Sequence, residues 1–323
     1  MTEATDPFVV MAGVRDWAVK QVGAELDKRG VRWEQLNTAD FPVASRLAAT
    51  LTSDAQNWRG SLRDNVNTLA LDQITSIYYG KPTEFEMPAG MSGPELRFSR
   101  AQARVGLGGI LASLPVRWFS HPSAIADAAY KPRQLTLFKR AGLVIPPTLI
   151  TNDAQAVRAF AESVGDLIVK PLAEPIVYES GGEALVYTRR VGPAELDSLH
   201  GVELTAHLFQ QWQAKSYEAR VTVVGDRIFA VTIHVDSENG LVDWRSDYDS
   251  HTYNVIQVPE QVRTGILRYL KISGLAFGAF DFVIRPDESW VALEANATGA
   301  WGWLAEACDL PIASAIADEL MKE

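Results

Sequence analysis

The sequence predicts an α/β chain built of several subdomains, an N-terminal open sheet followed by α+β units. Three observations lead there. The 323 residues exceed what one ordinary core fills, so two or three subdomains are expected. The first forty residues alternate strand, helix and strand. Beyond residue 200 the apolar segments are short and separated by glycine- or proline-marked turns, the pattern of antiparallel hairpins.

In order, Phe8-Val9-Val10-Met11-Ala12 is a short apolar strand. Val19, Val22, Gly23 and Leu26 keep a helical period, and Gly30 stands where a helix is expected to end. Val31 to Leu36 alternates as a second strand, which suggests an open, partly parallel sheet. The Pro-, Gly- and Met-rich stretch 80–94 reads as a loop, and a mostly helical stretch follows to about Leu114. A new unit begins near His121-Pro122. Its helix from Arg133 stops at Gly142, and Ile145-Pro146-Pro147 forces an extended path. A helix over 154–164 leads to the strand Leu167-Ile168-Val169-Lys170, and a glycine turn joins two strands around Ser180-Gly181-Gly182. Next come strands 218–224 and 227–233 about the turn Gly225-Asp226, a helix from Pro259 to Ile272, and a final hairpin. The expected division is 1–120, 121–205 and 206–323.

Composition removes whole classes of function. A formal net charge of −10 without a basic patch argues against nucleic acid as a partner. No apolar run approaches the roughly 18 residues of a membrane span, and the N-terminus is acidic where a secretory signal is basic. The lone Cys308 excludes an internal disulfide framework and fits a reducing cytoplasm. The five histidines show no metal-ligand spacing.

The final hairpin carries the strongest chemical signal. Strands Ala279–Arg285 and Trp290–Asn296, with the turn centred between Asp287 and Glu288, place Asp281 opposite Glu294. Alternation puts Asn296 on the face of Glu294. Opposed carboxylates repel unless a cation lies between them, and two carboxylates with one amide oxygen suit Mg²⁺. Lys170 closes an apolar strand and Lys131 opens a helix, so each can aim an ammonium into a cleft. Gly181 and Gly182 let backbone N–H groups approach a phosphate. Arg220 lies inside an apolar strand, where an unpaired charge is costly. Neither a Walker-type phosphate loop nor a dinucleotide fingerprint is present, so a nucleotide site must be assembled from distant elements.

These residues, in this order, resemble the ATP-grasp superfamily, which clamps ATP between two α+β subdomains behind an N-terminal α/β domain. The finer likeness is to the ATP-grasp ribosomal peptide maturases, the graspetide or microviridin-type ligases. It rests on Asn37-Thr38-Ala39-Asp40-Phe41-Pro42, Tyr130-Lys131-Pro132-Arg133, Gly142 to Asn152, Phe209-Gln210-Gln211, Lys215, Glu218-Ala219-Arg220-Val221, Asp243-Trp244-Arg245 and Leu310 to Ala317. Tyr79-Gly80-Lys81-Pro82 departs from the paired arginines usual in that subfamily, and Glu294-Ala295-Asn296-Ala297 lacks its usual Asn-Pro.

The resemblance implies a ligase that uses ATP and Mg²⁺ to phosphorylate Asp or Glu side chains of a ribosomally made precursor peptide, leader plus core. Ser or Thr hydroxyls, or Lys amines, then close macrocyclic esters or amides with release of ADP and phosphate. It implies that Lys131 and Lys170 hold ATP phosphates and that Gly181 and Gly182 form the glycine loop. It further implies that Gln210, Gln211 and Trp212, with Lys215 beyond them, form the hinge side of the site. Asp281, Glu294 and Asn296 would hold the metal, and Arg220 and Arg245 would neutralise the transferring phosphoryl group. Arg245 fits equally an ion pair with Asp243 or Asp247. A homodimer in the cytoplasm is the expected state. The competing expectations are a ligase for free amino acids, of glutamate-ligase or glutathione-synthetase type, and a silent ATP-binding regulator.

Overall fold

Five consecutive buried residues, Phe8–Ala12, form β1 in a computed structural model that describes residues 8–13, 17–80, 82–173, 176–179, 182–235, 237, 240, 242–244 and 251–322. A strand buried on both faces reads as an unbroken apolar run, the mark of a parallel sheet with covered faces. β2 (Arg32–Leu36) pairs parallel with β1, joined to it through α1 (Trp17–Lys28). Gly30 adopts φ 67° just past α1, the left-handed turn that lets the chain reverse into β2. Between β2 and the next parallel strand the chain builds a separate antiparallel sheet of β3 (Arg46–Thr50), β4 (Arg59–Arg63) and β5 (Thr68–Ala70). The sequence reading assigned no strands here. Only Leu62 and Leu69 of these thirteen positions are buried, too few to mark an alternating apolar face.

β6 (Ser76–Tyr79) and β7 (Arg117–Phe119) complete the parallel sheet in the order β2-β1-β6-β7; the N-terminal sequence predicts an open, partly parallel sheet but neither of these two strands. α2 (Gly93–Ala103), opened by a Ser92/Glu95 capping box, continues through a π-helical turn to Ala112. The chain divides into two compact units, and the first gathers residues 1–125, 274–277 and 311–323. Its C-terminal helix, Ile312–Leu320, is tied to it by Arg29–Asp318 and Arg117–Glu319 ion pairs, each 2.9 Å.

The second unit, residues 126–273 and 278–310, contains two large antiparallel sheets and a small two-stranded one. α3 (Lys131–Ala141) ends at Gly142, φ 90°. The first sheet has β8 (Thr148–Thr151), β9 (Leu167–Lys170), β12 (Arg189–Val191) and β13 (His207–Gln211) in the order β12-β9-β13-β8. α4 (Ala154–Val164) packs on it through Val157, Leu167 and Phe209. A two-stranded sheet of β10 (Ile176–Glu179) and β11 (Gly182–Leu185) forms the glycine hairpin.

The second antiparallel sheet holds β14 (Tyr217–Val224), β15 (Arg227–His234), β16 (Thr252–Ile256), β17 (Phe277–Ile284) and β18 (Trp290–Asn296), ordered β16-β15-β14-β17-β18. α5 (Glu260–Ser273) covers one face with α3. Phe138, Tyr269 and Phe280 interlock there, with ring centroids 4.8–6.1 Å apart, and fix α3 against β17. Each of these rings is fully buried, so the back of β17 is rigid and its other face presents Asp281. Among the described residues, no helix is long and apolar enough to cross a membrane.

Candidate active site

The two large sheets of the second unit line one cleft, holding about 570 Å³ of open space between Pro146, Ile168 and Lys170 on one wall and Glu218, Asp281, Val283, Leu293 and Glu294 on the other. Gln211, Trp212, Gln213 and Lys215, the link between the sheets, line it as well, as do Thr188, Asp243 and Trp244.

Asp281 on β17 pairs directly with Glu294 on β18. The sequence reading anticipates this pair, but the ladder reaches it by another path. The strands leave the turn in the register Ile284↔Trp290, Val283↔Val291 and Phe282↔Ala292, one residue away from the expected frame. The irregularity between Phe282 and Asp281 accommodates Leu293 as an extra residue, and the expected frame is restored at Asp281↔Glu294. Such a bulge bends the strand locally and re-aims side chains. Leu293 and Glu294 both line the cleft. The turn itself is centred on Asp287 rather than beyond it, with the Arg285 N–H donating to Ser289 O at 3.0 Å and Glu288 at φ 61°.

Each carboxylate of the pair meets a cation. The Arg220 guanidinium on β14, the strand beside β17, donates from Nη1 to Asp281 Oδ1 at 2.9 Å. Both side chains are under 10% exposed (8% and 9%). Arg220 also donates from Nη2 to Ala300 O at 3.3 Å, while among the described residues its buried Nε has no hydrogen-bond partner. Gly299 makes room for this guanidinium. A Cβ there would lie 2.8 Å from Arg220 Nη2 and 2.6 Å from Ala279 Cβ. Lys131 Nζ, at the start of α3, lies 3.7 Å from Glu294 Oε2 and donates to Pro171 O at 2.6 Å. Asn296 is exposed at the end of β18, and its Oδ1 accepts from the Thr298 N–H at 2.9 Å.

A second ion pair stands at the link. Lys215 donates to Glu218, with both side chains buried. Burial pushes the Glu218 carboxyl up from its ordinary range. Lys215 opposes that shift, whereas Asp281 and Asp243 add to it. Asp243 Oδ2 accepts from the Thr188 N–H at 3.1 Å. Arg190 lies over the Trp212 ring at 4.7 Å from its centroid.

No family model matches the chain. A segment of 86 residues is 36% identical to the glutathione synthetase of Pseudomonas syringae pv. tomato, and the match spans 27% of this chain and a quarter (25%) of that relative's length. In three dimensions the chain is similar over 98% of its length to macrocyclase MdnC bound with precursor peptide MdnA from Microcystis aeruginosa MRC, with TM-score 0.85, 26% identity and 99% of that chain covered. Macrocyclase MdnB from the same organism matches 98% of this chain and 100% of its own, with TM-score 0.80 and 26% identity. The chain is an ATP-grasp ligase with the fold of these peptide macrocyclases. A Chryseobacterium gregarium RiPP-associated ATP-grasp ligase, in complex with ADP and a leader and core peptide, shares the same fold at TM-score 0.90 and 24% identity, over 98% of this chain and 96% of its own.

Within this ATP-grasp ligase, Lys170, Gln211, Trp212, Lys215, Asp281 and Glu294 of the sequence-derived set come together around the cleft. Lys131 and Arg220 reach it through the two carboxylates. Gln210 does not. Its side chain is buried and donates to Thr148 Oγ1 at 2.9 Å. At the hinge the Gln211 and Trp212 N–H groups donate to Pro147 O (3.0 Å) and Asp166 O (2.7 Å), so those donors hold the sheet together. Gly182 opens β11, while Gly181 and Arg245 lie outside the described residues.

Among the described residues no group of three His, Cys, Asp or Glu side chains has metal-binding geometry. The donor set expected here contains only two carboxylates, completed by the Asn296 amide oxygen. Opposed carboxylates and an amide oxygen are hard donors that fit Mg²⁺. Sequence reasoning missed Glu218 and Asp243 as cleft residues. Glu218 was within reach of it, because alternation along β14 places it on the face of Arg220.

Proposed function

We propose that this ligase activates a carboxylate side chain of a ribosomally made peptide as an acyl phosphate and closes a ring with a hydroxyl or amine of the same peptide. The supporting observation is the Asp281–Glu294 pair, faced by Arg220 and Lys131 beside the cleft. Lys131 and Lys170 bind the ATP phosphates, Gln211 to Gln213 border the adenine, and Lys215 with Glu218 closes the hinge side. Asp281, Glu294 and Asn296 hold Mg²⁺, which when bound neutralises phosphate charge. Arg220 and Arg245 counter the charge on the transferring group, and Gly181 and Gly182 cover the phosphates. Such chemistry is chiefly positioning and electrostatics.

The first step moves the terminal phosphoryl group of ATP onto a carboxylate oxygen and releases ADP. In the second, the hydroxyl or amine attacks the acyl carbon, its proton is lost, and phosphate leaves with the C–O bond electrons. Each closed ring therefore lacks the mass of one water. The three segments 1–120, 121–205 and 206–323 are our proposed division of labour, with the last carrying the metal ligands. We further assign the protein to the cytoplasm as a homodimer, which light scattering of the purified chain tests.

The deciding experiment incubates the enzyme, ATP and Mg²⁺ with a short peptide rich in Thr, Ser, Asp and Glu encoded beside its gene. Mass spectrometry should show water-sized losses that depend on ATP, and an unchanged peptide mass together with no ADP would overturn the proposal. The glutathione-synthetase-like segment favours a second reading, a ligase for free amino acids. ADP release stimulated by small amino acids but not by the peptide would establish it.

A further inference from the structure

Trp212, on the link between the two large sheets, lines the cleft, and two cations lie over its ring. Arg190 of β12 places its guanidinium carbon 4.7 Å from the ring centroid, and the Lys215 ammonium of the link itself lies at 5.7 Å. A carboxylate backs each cation, Asp166 for Arg190 and Glu218 for Lys215. Asp166 also accepts the Trp212 N–H on its backbone oxygen at 2.7 Å. One residue, directly before β9, therefore holds the main chain of Trp212 and, through Arg190, its ring.

We propose that Arg190 is a positioning residue for the nucleotide, which fixes the Trp212 indole as a wall of the cleft and acts on the ligand only through it. This rests on the ATP-grasp reading of the site, with the base bordered by Gln211 to Gln213. Arg190 pairs directly with Ile168 across the β12–β9 ladder, so both side chains stand on one face of the sheet. Ile168 lines the cleft, whereas Arg190 does not. An indole has two rotatable bonds to fix. A guanidinium is attracted to the negative face of the ring and stacks flat on it, and the pairing with Asp166 sets where that flat group lies.

A purely stabilising bridge is a poor account of this arrangement. The Arg190 and Asp166 side chains are 44% and 70% exposed, and so open an ion pair contributes little to folding. Its effect is therefore expected on the nucleotide and not on the fold.

The test titrates a non-hydrolysable ATP analogue with Mg²⁺ into the full-length protein by calorimetry, and records the melting of each variant. Trp212→Leu should weaken binding about tenfold, the scale of losing one aromatic contact with a base. Arg190→Met should weaken it about threefold, the scale of one partly exposed cation–ring contact, with melting unchanged. Arg190→Lys keeps a cation over the ring and should recover part of that loss. In the Trp212→Leu background Arg190→Met should add nothing, because the ring it acts through is gone. A direct contact of Arg190 with phosphate would persist there, so additive losses overturn the proposal. If Trp212→Leu leaves the affinity unmoved, the placement of the base at the hinge falls with it. If Trp212→Leu weakens binding and Arg190→Met does not, only the positioning role falls. Should Trp212→Leu not fold, Asp166→Asn decides, since it keeps the backbone oxygen that holds the Trp212 N–H and releases Arg190. It should weaken the analogue and add nothing to Arg190→Met, whereas tighter or unchanged binding overturns the proposal.

Discussion

Two hairpins of one sheet solve different problems. β14 and β15 pair without interruption from Glu218↔Ile233 to Val224↔Arg227 about the two-residue turn Gly225-Asp226, with Gly225 at φ 60°. β17 and β18 carry a register shift, an extra residue at Leu293 and a non-glycine residue, Glu288, in the left-handed region. The regular hairpin is a frame that holds Arg220 in a buried row. The irregular one spends ladder regularity to aim Leu293 and Glu294 into the cleft. Where a ladder departs from its ideal, a side chain has been redirected.

The comparison breaks most sharply at the irregular hairpin. Glu294→Gln keeps shape and removes charge, and should lower ATP turnover by about 10²–10³-fold, the scale of losing one transition-state charge stabiliser. Its circular dichroism and melting should stay those of the unaltered chain. Unfolding would show that Glu294 belongs to the frame instead.

Gly299→Ala comes next. The added carbon meets Arg220 Nη2 and Ala279 Cβ at distances no relaxed contact allows. Overpacking of this kind costs about 1–3 kcal/mol, and turnover should fall along with the denaturation midpoint. Turnover lost with stability intact would place the whole effect on the guanidinium.

The regular hairpin should respond in stability alone. Gly225→Ala forces a side chain into φ 60° and should cost about 1–2 kcal/mol by urea titration. Turnover per folded molecule should not change. The smallest effect is expected at Glu288→Gly, which relieves about 1–2 kcal/mol of left-handed backbone but gives up about 0.5–1 kcal/mol in chain entropy. It also removes the Tyr217 O–H to Glu288 bond of 3.2 Å. A near-neutral urea midpoint is the outcome, and a large loss would show that the turn conformation depends on that bond.

The same two hairpins show how far the sequence could be read. Turn chemistry at Gly225-Asp226 fixes one register outright, because a two-residue link leaves no choice. The Asp281–Glu294 pair emerges from a turn placed half a residue too late, and the bulge at Leu293 compensates. No local signal marks that bulge, since Leu293 is as apolar as its neighbours in an apolar strand. The strands over 46–70 escaped notice for a related reason, for two buried leucines do not make a pattern. Lys131 and Lys170 were legible by position, one opening a helix and one closing a strand. The cation each carboxylate would receive was not legible. Arg220 and Asp281 are 61 residues apart, and only the sheet order β14-β17 makes them neighbours.

The division of the first unit has a consequence for how the chain is made. Residues 311–323 complete a unit that begins at residue 1, and Arg29 and Arg117 find Asp318 and Glu319 only there. On a ribosome those partners emerge after every residue of the second unit. The first unit thus waits, unfinished, while the catalytic one folds, and a late nonsense codon would strike the earliest-made part of the protein.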